Sequence, residues 1–183
     1  MGNWGFVEWF SIAGSALAIV ALPSVFQMIW GAPHLEFDFG ATKEGEKGTL
    51  RCTVYNYPIE NWFLRKVGVR RESATVYAAY KIHGSEFSTE VISPILTNYQ
   101  GNSRQVEIAA GPVGAAMGII FINGDKAYIV EDPRFKNLPD APVSPINAGT
   151  YLIQILVFCG EKNFKKSAEF VITKNAADSY WVN

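Results

Sequence analysis

Residues 35 to 55 read LEFDFGATKEGEKGTLRCTVY. Leu35, Phe37 and Phe39 alternate with Glu36 and Asp38, and Leu50, Cys52 and Val54 alternate with Arg51, Thr53 and Tyr55. This is the period-two pattern of strands that turn one face to a core and the other to water. The Gly-rich, charged segment Gly40 to Gly48 between them reads as a loop, so the two runs are expected to form an antiparallel pair.

Further runs of the same kind follow: Val67 to Val69, Thr75 to Ile82, Glu90 to Ile95, Gln105 to Ile108, Ile119 to Ile122 and Lys126 to Val130. Asn123-Gly124 joins the last two and is a strong hairpin signal, because both residue types accept the positive φ of a type I′ turn. Tyr151 to Phe158 and Ala168 to Thr173 form a closing pair around the polar loop Gly160 to Lys166. Many short strands without an amphipathic helix predict an all-β antiparallel sandwich over 34–175. Residues 131 to 149 contain four prolines and read as a long surface connection. Residues 176–183 form a polar tail around Tyr180 and Trp181 that either frays or docks.

The period is different before Pro33. Phe10 to Trp30, FSIAGSALAIVALPSVFQMIW, is 21 residues without a charge. As a helix it would span about 31 Å, one bilayer core. Trp4, Trp9 and Trp30 stand near its ends, where indoles prefer the headgroup level. A cleaved signal peptide competes with this reading, but no Lys or Arg precedes Lys43 to form a basic leader. Residues 1–33 are therefore expected to be one retained transmembrane anchor. Phe6 stands where a myristoylation signal wants a hydroxyl. Lys43, Lys47 and Arg51 follow the span, which favours a cytoplasmic β-domain on the inner (plasma) membrane. Ser11, Gly14, Ala18 and Ala21 line small residues along one helical face, where two anchors could approach closely.

Charge and composition narrow the function classes. The chain has 183 residues, 16 Lys and Arg against 17 Asp and Glu, and a net charge of -1, which is not the basic excess of a nucleic-acid binder. With two Cys and two His, and no C-x-x-C spacing, closed Cys/His zinc sites and disulfide-stapled scaffolds are nearly excluded. Gly40 to Lys47 approaches a phosphate-binding loop, but Glu46 occupies the place of the lysine and would repel phosphate. His34 and His83 have no metal-ligand neighbour at useful spacing, and the adjacent Glu131 and Asp132 point apart if extended. Neither catalytic nor cofactor or metal residues are assigned, and the chain reads as a non-enzyme.

Ala148-Gly149-Thr150-Tyr151, followed by alternating apolar residues, resembles the last two strands of many immunoglobulin-like bacterial domains. The segment from Leu50 through Asn56, Pro58 and Asn61 to Gly68-Val69-Arg70-Arg71-Glu72 resembles uncharacterised bacterial proteins with one N-terminal membrane helix and a β-sandwich. The resemblance implies an immunoglobulin-like architecture and no activity. Such a framework invites a bridge between Cys52 and Cys159. Cys52 lies near the start of its run and Cys159 at the end of its own, an offset that predicts two free thiols.

Two surfaces stand out. Arg65, Lys66, Arg70 and Arg71 place four positive charges within seven residues, beside Trp62 and Phe63, and suit anionic lipid headgroups or a solvated strand edge. Ile108 to Ile122, with Gly111, Gly114 and Gly118, is either a buried crossover or an apolar loop presenting Val113, Met117 and Ile119 to a partner or ligand. The expectation is a membrane-anchored interaction subunit. Its partners would be the bilayer and a protein or second copy, without nucleic acid. The alternative is a ligand sensor whose β-domain controls association of the anchors.

Overall fold

The computed structural model describes residues 21–44, 47–84, 88–92, 94, 96–98, 101–130 and 145–182. Residues 21–30 are helical (α1). The chain then enters β1 (Leu35–Glu44) and β2 (Lys47–Asn56), paired from Leu35↔Asn56 to Glu44↔Lys47. The strands thus run through most of the expected Gly40 to Gly48 loop. Ladder pairing with a long partner outweighs the weak strand preference of glycine and charged residues.

The order continues α2 (Trp62–Lys66), β3 (Ala74–His83), β4 (Ser88–Ile92), β5 (Leu96–Asn98), β6 (Gly101–Ser103), β7 (Val106–Ile108), β8 (Ala115–Asn123), β9 (Lys126–Ile129), β10 (Gly149–Cys159), β11 (Lys162–Ile172), a 3-10 turn (Ala176–Asp178) and β12 (Tyr180–Val182). One sheet has the order β1-β2-β8-β5-β6, with β9 also on β8; the other has β12-β11-β10-β3-β4, with β7 also on β3. All pairings between named strands are antiparallel. The all-β sandwich is therefore present. Its core comes from inward residues of both sheets, among them Leu50, Met117, Ile120, Tyr80, Ile153 and Phe170.

Three local expectations are corrected. Val67 to Val69 is not a strand: Asn61 Oδ1 accepts from the amides of Phe63 (3.0 Å) and Leu64 (3.3 Å) to start α2, and Gly68 at φ +85 turns the chain out of it. The β8–β9 turn is centred on Gly124 and Asp125, because Asn123 pairs with Lys126. The loop after β10 shrinks to Gly160 and Glu161, with Gly160 at φ +58, since Lys162 to Ser167 pair with β10, their polar side chains toward water and Phe164 against the core.

Residues from each edge cross between the sheets. Trp181 packs on Phe39 (4.8 Å between ring centroids) and Phe170 (5.5 Å), and its indole N–H donates to the Gly40 carbonyl at 2.9 Å. The tail is thus part of the sandwich. On the other side Asn98 Nδ2 donates to the Glu107 carbonyl at 3.1 Å, joining β5 to the strand β7 of the opposite sheet. Of the expected span, 10–20 lies outside the described residues. Among the described residues no helix is long and apolar enough to cross a membrane.

Candidate functional site

The ends of β2 and β7 and the starts of β1, β3 and β8 share one end of the sandwich. The alternation of β2 brings Asn56 to the inward face, after Leu50, Cys52 and Val54. It is fully buried, and its amide is satisfied on every side: Oδ1 accepts from the His34 amide (3.1 Å), while Nδ2 donates to the carbonyls of Glu72 (2.7 Å) and Ile108 (3.3 Å). The Asn56 carbonyl accepts from the Gly111 amide at 2.9 Å. One side chain thus ties four segments together where the chain arrives from α1.

The helix itself is held by a second set of contacts. Gln27 makes a reciprocal pair with the Arg70 backbone, its Nε2 donating to the carbonyl (2.8 Å) and its Oε1 accepting from the amide (2.9 Å). Arg71 Nη1 donates to the carbonyls of Trp30 (2.9 Å) and Ala32 (2.7 Å), and its Nε to that of Tyr57 (3.3 Å). A cation at these terminal carbonyls also suits the negative end of the helix dipole. The Glu72 amide donates to the Gly31 carbonyl at 2.7 Å. Gly31 fits because a Cβ there would lie 2.4 Å from the Gln27 carbonyl oxygen.

Beneath these polar contacts lies a small apolar cluster of Ile59, Leu64 and Val69, with Phe26 and Val67 packed against it. Phe26 meets Phe63 at 6.1 Å and Trp30 at 5.3 Å, both edge-on. Outside the cluster, Trp62 is 66% exposed, Phe63 47% and Met28 77%. Lys66 Nζ stands 5.2 Å from the Trp62 ring centroid.

The expected site residues distribute unevenly over this geometry. Arg65, Lys66 and Arg70 are exposed around α2. Arg71 is half-buried and committed to backbone carbonyls, which corrects its assignment to a lipid-facing patch. Ala21 is exposed on α1; Ser11, Gly14 and Ala18 lie outside the described residues. Val113 is exposed, but Met117 and Ile119 are fully buried in β8, which removes both from the candidate partner surface. The glycines nearby serve packing: a Cβ on Gly114 would lie 2.6 Å from the Val54 carbonyl oxygen, and one on Gly118 would lie 3.3 Å from Thr49 Cγ2.

His34 pairs with Glu36 at 3.1 Å, and His83 Nδ1 lies 3.1 Å from Ser88 Oγ, both at the surface. Glu131 and Asp132 lie outside the described residues. No group of three His, Cys, Asp or Glu able to hold a metal occurs among the described residues. Cys52 and Cys159 are free thiols on opposite sheets. Burial, with a smaller contribution from Asp38, pushes the Cys52 thiol up to about 12; burial also raises Cys159, partly offset by Lys162.

Gln27, Asn56 and the backbone role of Arg71 were not singled out from sequence. Asn56 did leave a signal, an amide on the apolar parity of an alternating run. Arg71 left none, since its partners are main-chain atoms. No protein-family model, curated protein or solved structure matches the chain.

Proposed function

We propose that this chain is a membrane-anchored binding subunit. Its β-sandwich is held directly on the end of an apolar helix, with the β-domain on the cytoplasmic side of the inner (plasma) membrane, and it engages another protein. The observation that carries the reading is the clasp of Gln27 and Arg71 on α1, which leaves no free linker between helix and sandwich. A helix fastened in this way presents the domain at a fixed attitude. That lowers the ordering cost of docking onto a partner in the same membrane.

The sandwich is immunoglobulin-like in this proposal. Its runs β1-β2-β8-β5 and β11-β10-β3-β4 follow the A-B-E-D and G-F-C-C′ orders of that architecture. The Tyr151 hydroxyl donates to the Asn147 carbonyl at 2.7 Å, four residues upstream, in the manner of a tyrosine corner. Sandwiches of this architecture commonly display binding surfaces.

The test is isolation of the full chain from membranes. It should resist alkaline carbonate extraction and co-purify in mild detergent with a second protein at fixed stoichiometry. Carbonate extraction would overturn the anchor. Recovery of a bound small molecule and no protein would overturn the binding subunit in favour of the sensor.

A further inference from the structure

We infer that α2 and its surroundings form a second membrane contact: Trp62 and Phe63 enter the headgroup layer of an anionic bilayer, and Arg65, Lys66 and Arg70 face its phosphates. This rests on the proposed anchor and adds to it where the sandwich lies. Phe26 belongs to the uncharged stretch 10–30, four residues before its end at Trp30, which is about 6 Å along a helix axis. Phe63 of α2 packs on Phe26 at 6.1 Å. Therefore α2 lies alongside the last turn of the apolar helix, and a bilayer whose surface is met by Trp30 also meets α2.

The side chains fit that level. Trp62 at 66% and Phe63 at 47% exposure turn aromatic surface outward, and Met28 and Ile29 of α1 leave aliphatic surface exposed. Indole rings favour the interface, where an apolar body and a polar surrounding coexist, and Phe joins them on the apolar face of interfacial helices. Lys66 already stands over the Trp62 ring, and Arg65 and Lys66 close the last turn of α2 with their long stems free to reach phosphate. Glu60 and Glu72 flank the patch, and Arg71 keeps its charge on neutral carbonyls, leaving four cations against two carboxylates, so attraction to an anionic surface is modest and local. The occupant is taken as the bilayer because the patch continues the apolar surface of α1 and its cations complement anionic headgroups.

The experiment uses the full chain reconstituted in vesicles of phosphatidylcholine, with and without phosphatidylglycerol. A fluorophore is placed at Glu60→Cys in a Cys159→Ser background; Cys52, buried and protonated, stays unlabelled. A control label sits at Asp125→Cys, in the β8–β9 turn at the opposite end of the sandwich. Lipid carrying a nitroxide on its headgroup should quench the label at 60 several-fold more than that at 125, and more strongly with phosphatidylglycerol. Arg65→Glu with Lys66→Glu and Arg70→Glu should reduce the quenching at 60 without releasing the chain from vesicles.

Equal, weak quenching at both positions in chains that resist carbonate overturns the contact while leaving the anchor intact. Quenching at 60 that ignores phosphatidylglycerol overturns the anionic assignment. Extraction of the chain by carbonate overturns the anchor and this inference together. The contrast between positions 60 and 125 needs no charge-reversed variant to fold.

Discussion

Asn56 shows how one buried amide can organise a sandwich end. Its three side-chain hydrogen bonds join segments from residues 34, 72 and 108. Asn56→Ala leaves those partners without their buried complement and is expected to cost about 2–3 kcal/mol in urea unfolding. Asn56→Asp should cost more at neutral pH, because a carboxylate would face two carbonyls in a site with no exposure. Its folded pKa would be raised, so the added penalty should shrink as pH falls and the acid protonates. Cys52 supplies a pH effect of the wild-type chain. The thiol is pushed from 9.0 to about 12 by burial, then by Asp38, so the folded chain keeps a proton that the unfolded chain loses above its own pKa. Stability from this group is complete below pH 9 and is lost progressively toward 12, at no more than about 1.4 kcal/mol per pH unit. Urea unfolding at pH 8 and 10 should show that slope in wild type and a shallower one in Cys52→Ala.

Between elements, the decisive interactions involve main-chain atoms, which explains what sequence could and could not reveal. Alternation marked β1, β2, β3 and β10 because side-chain parity is written in residue order. The true lengths of the β1–β2 and β10–β11 hairpins depend on a partner strand, so their glycines and lysines read as loops. The apolar glycine-rich segment was ambiguous for a related reason, since absence of a side chain serves both a flexible loop and a close approach. Gly114 belongs to the second case. Gly114→Ala would drive a Cβ to 2.6 Å from a backbone oxygen and should cost roughly 1–3 kcal/mol, whereas Gly118→Ala meets only a methyl at 3.3 Å and should cost less. Thermal melting of both variants gives the comparison. The α1 clasp is likewise invisible in residue order. Arg71→Met should raise hydrogen exchange at the Gly31 and Glu72 amides while leaving the β10–β11 ladder protected. Arg71→Lys should behave like Arg71→Met, because one ammonium cannot reproduce a planar fork spanning the carbonyls of residues 30, 32 and 57.

For the whole molecule, sequence conveyed little of the contacts that Trp181 makes across most of the chain's length. Trp181 lies at the far end of the chain from its acceptor Gly40, 141 residues away, and neither neighbourhood advertises the other. A three-residue strand carrying a large aromatic at its centre looks like a tail in sequence. Only the folded sandwich gives it Phe39 and Phe170 as neighbours. If this contact fastens one sheet to the other, its loss should destabilise the domain as a unit. Trp181→Ala removes a ring that is only 9% exposed and should cost about 3–5 kcal/mol. Trp181→Phe keeps most of the apolar contact but loses the indole hydrogen bond to the Gly40 carbonyl, and should cost roughly 1 kcal/mol beyond its lost area. Tyr180→Ala, at a position 52% exposed on the outer face, should lie within about 0.5–1 kcal/mol of wild type. Urea unfolding of the three variants orders these costs. If Trp181→Ala unfolds no more readily than Tyr180→Ala, then β12 is an appendage and the sandwich closes without it.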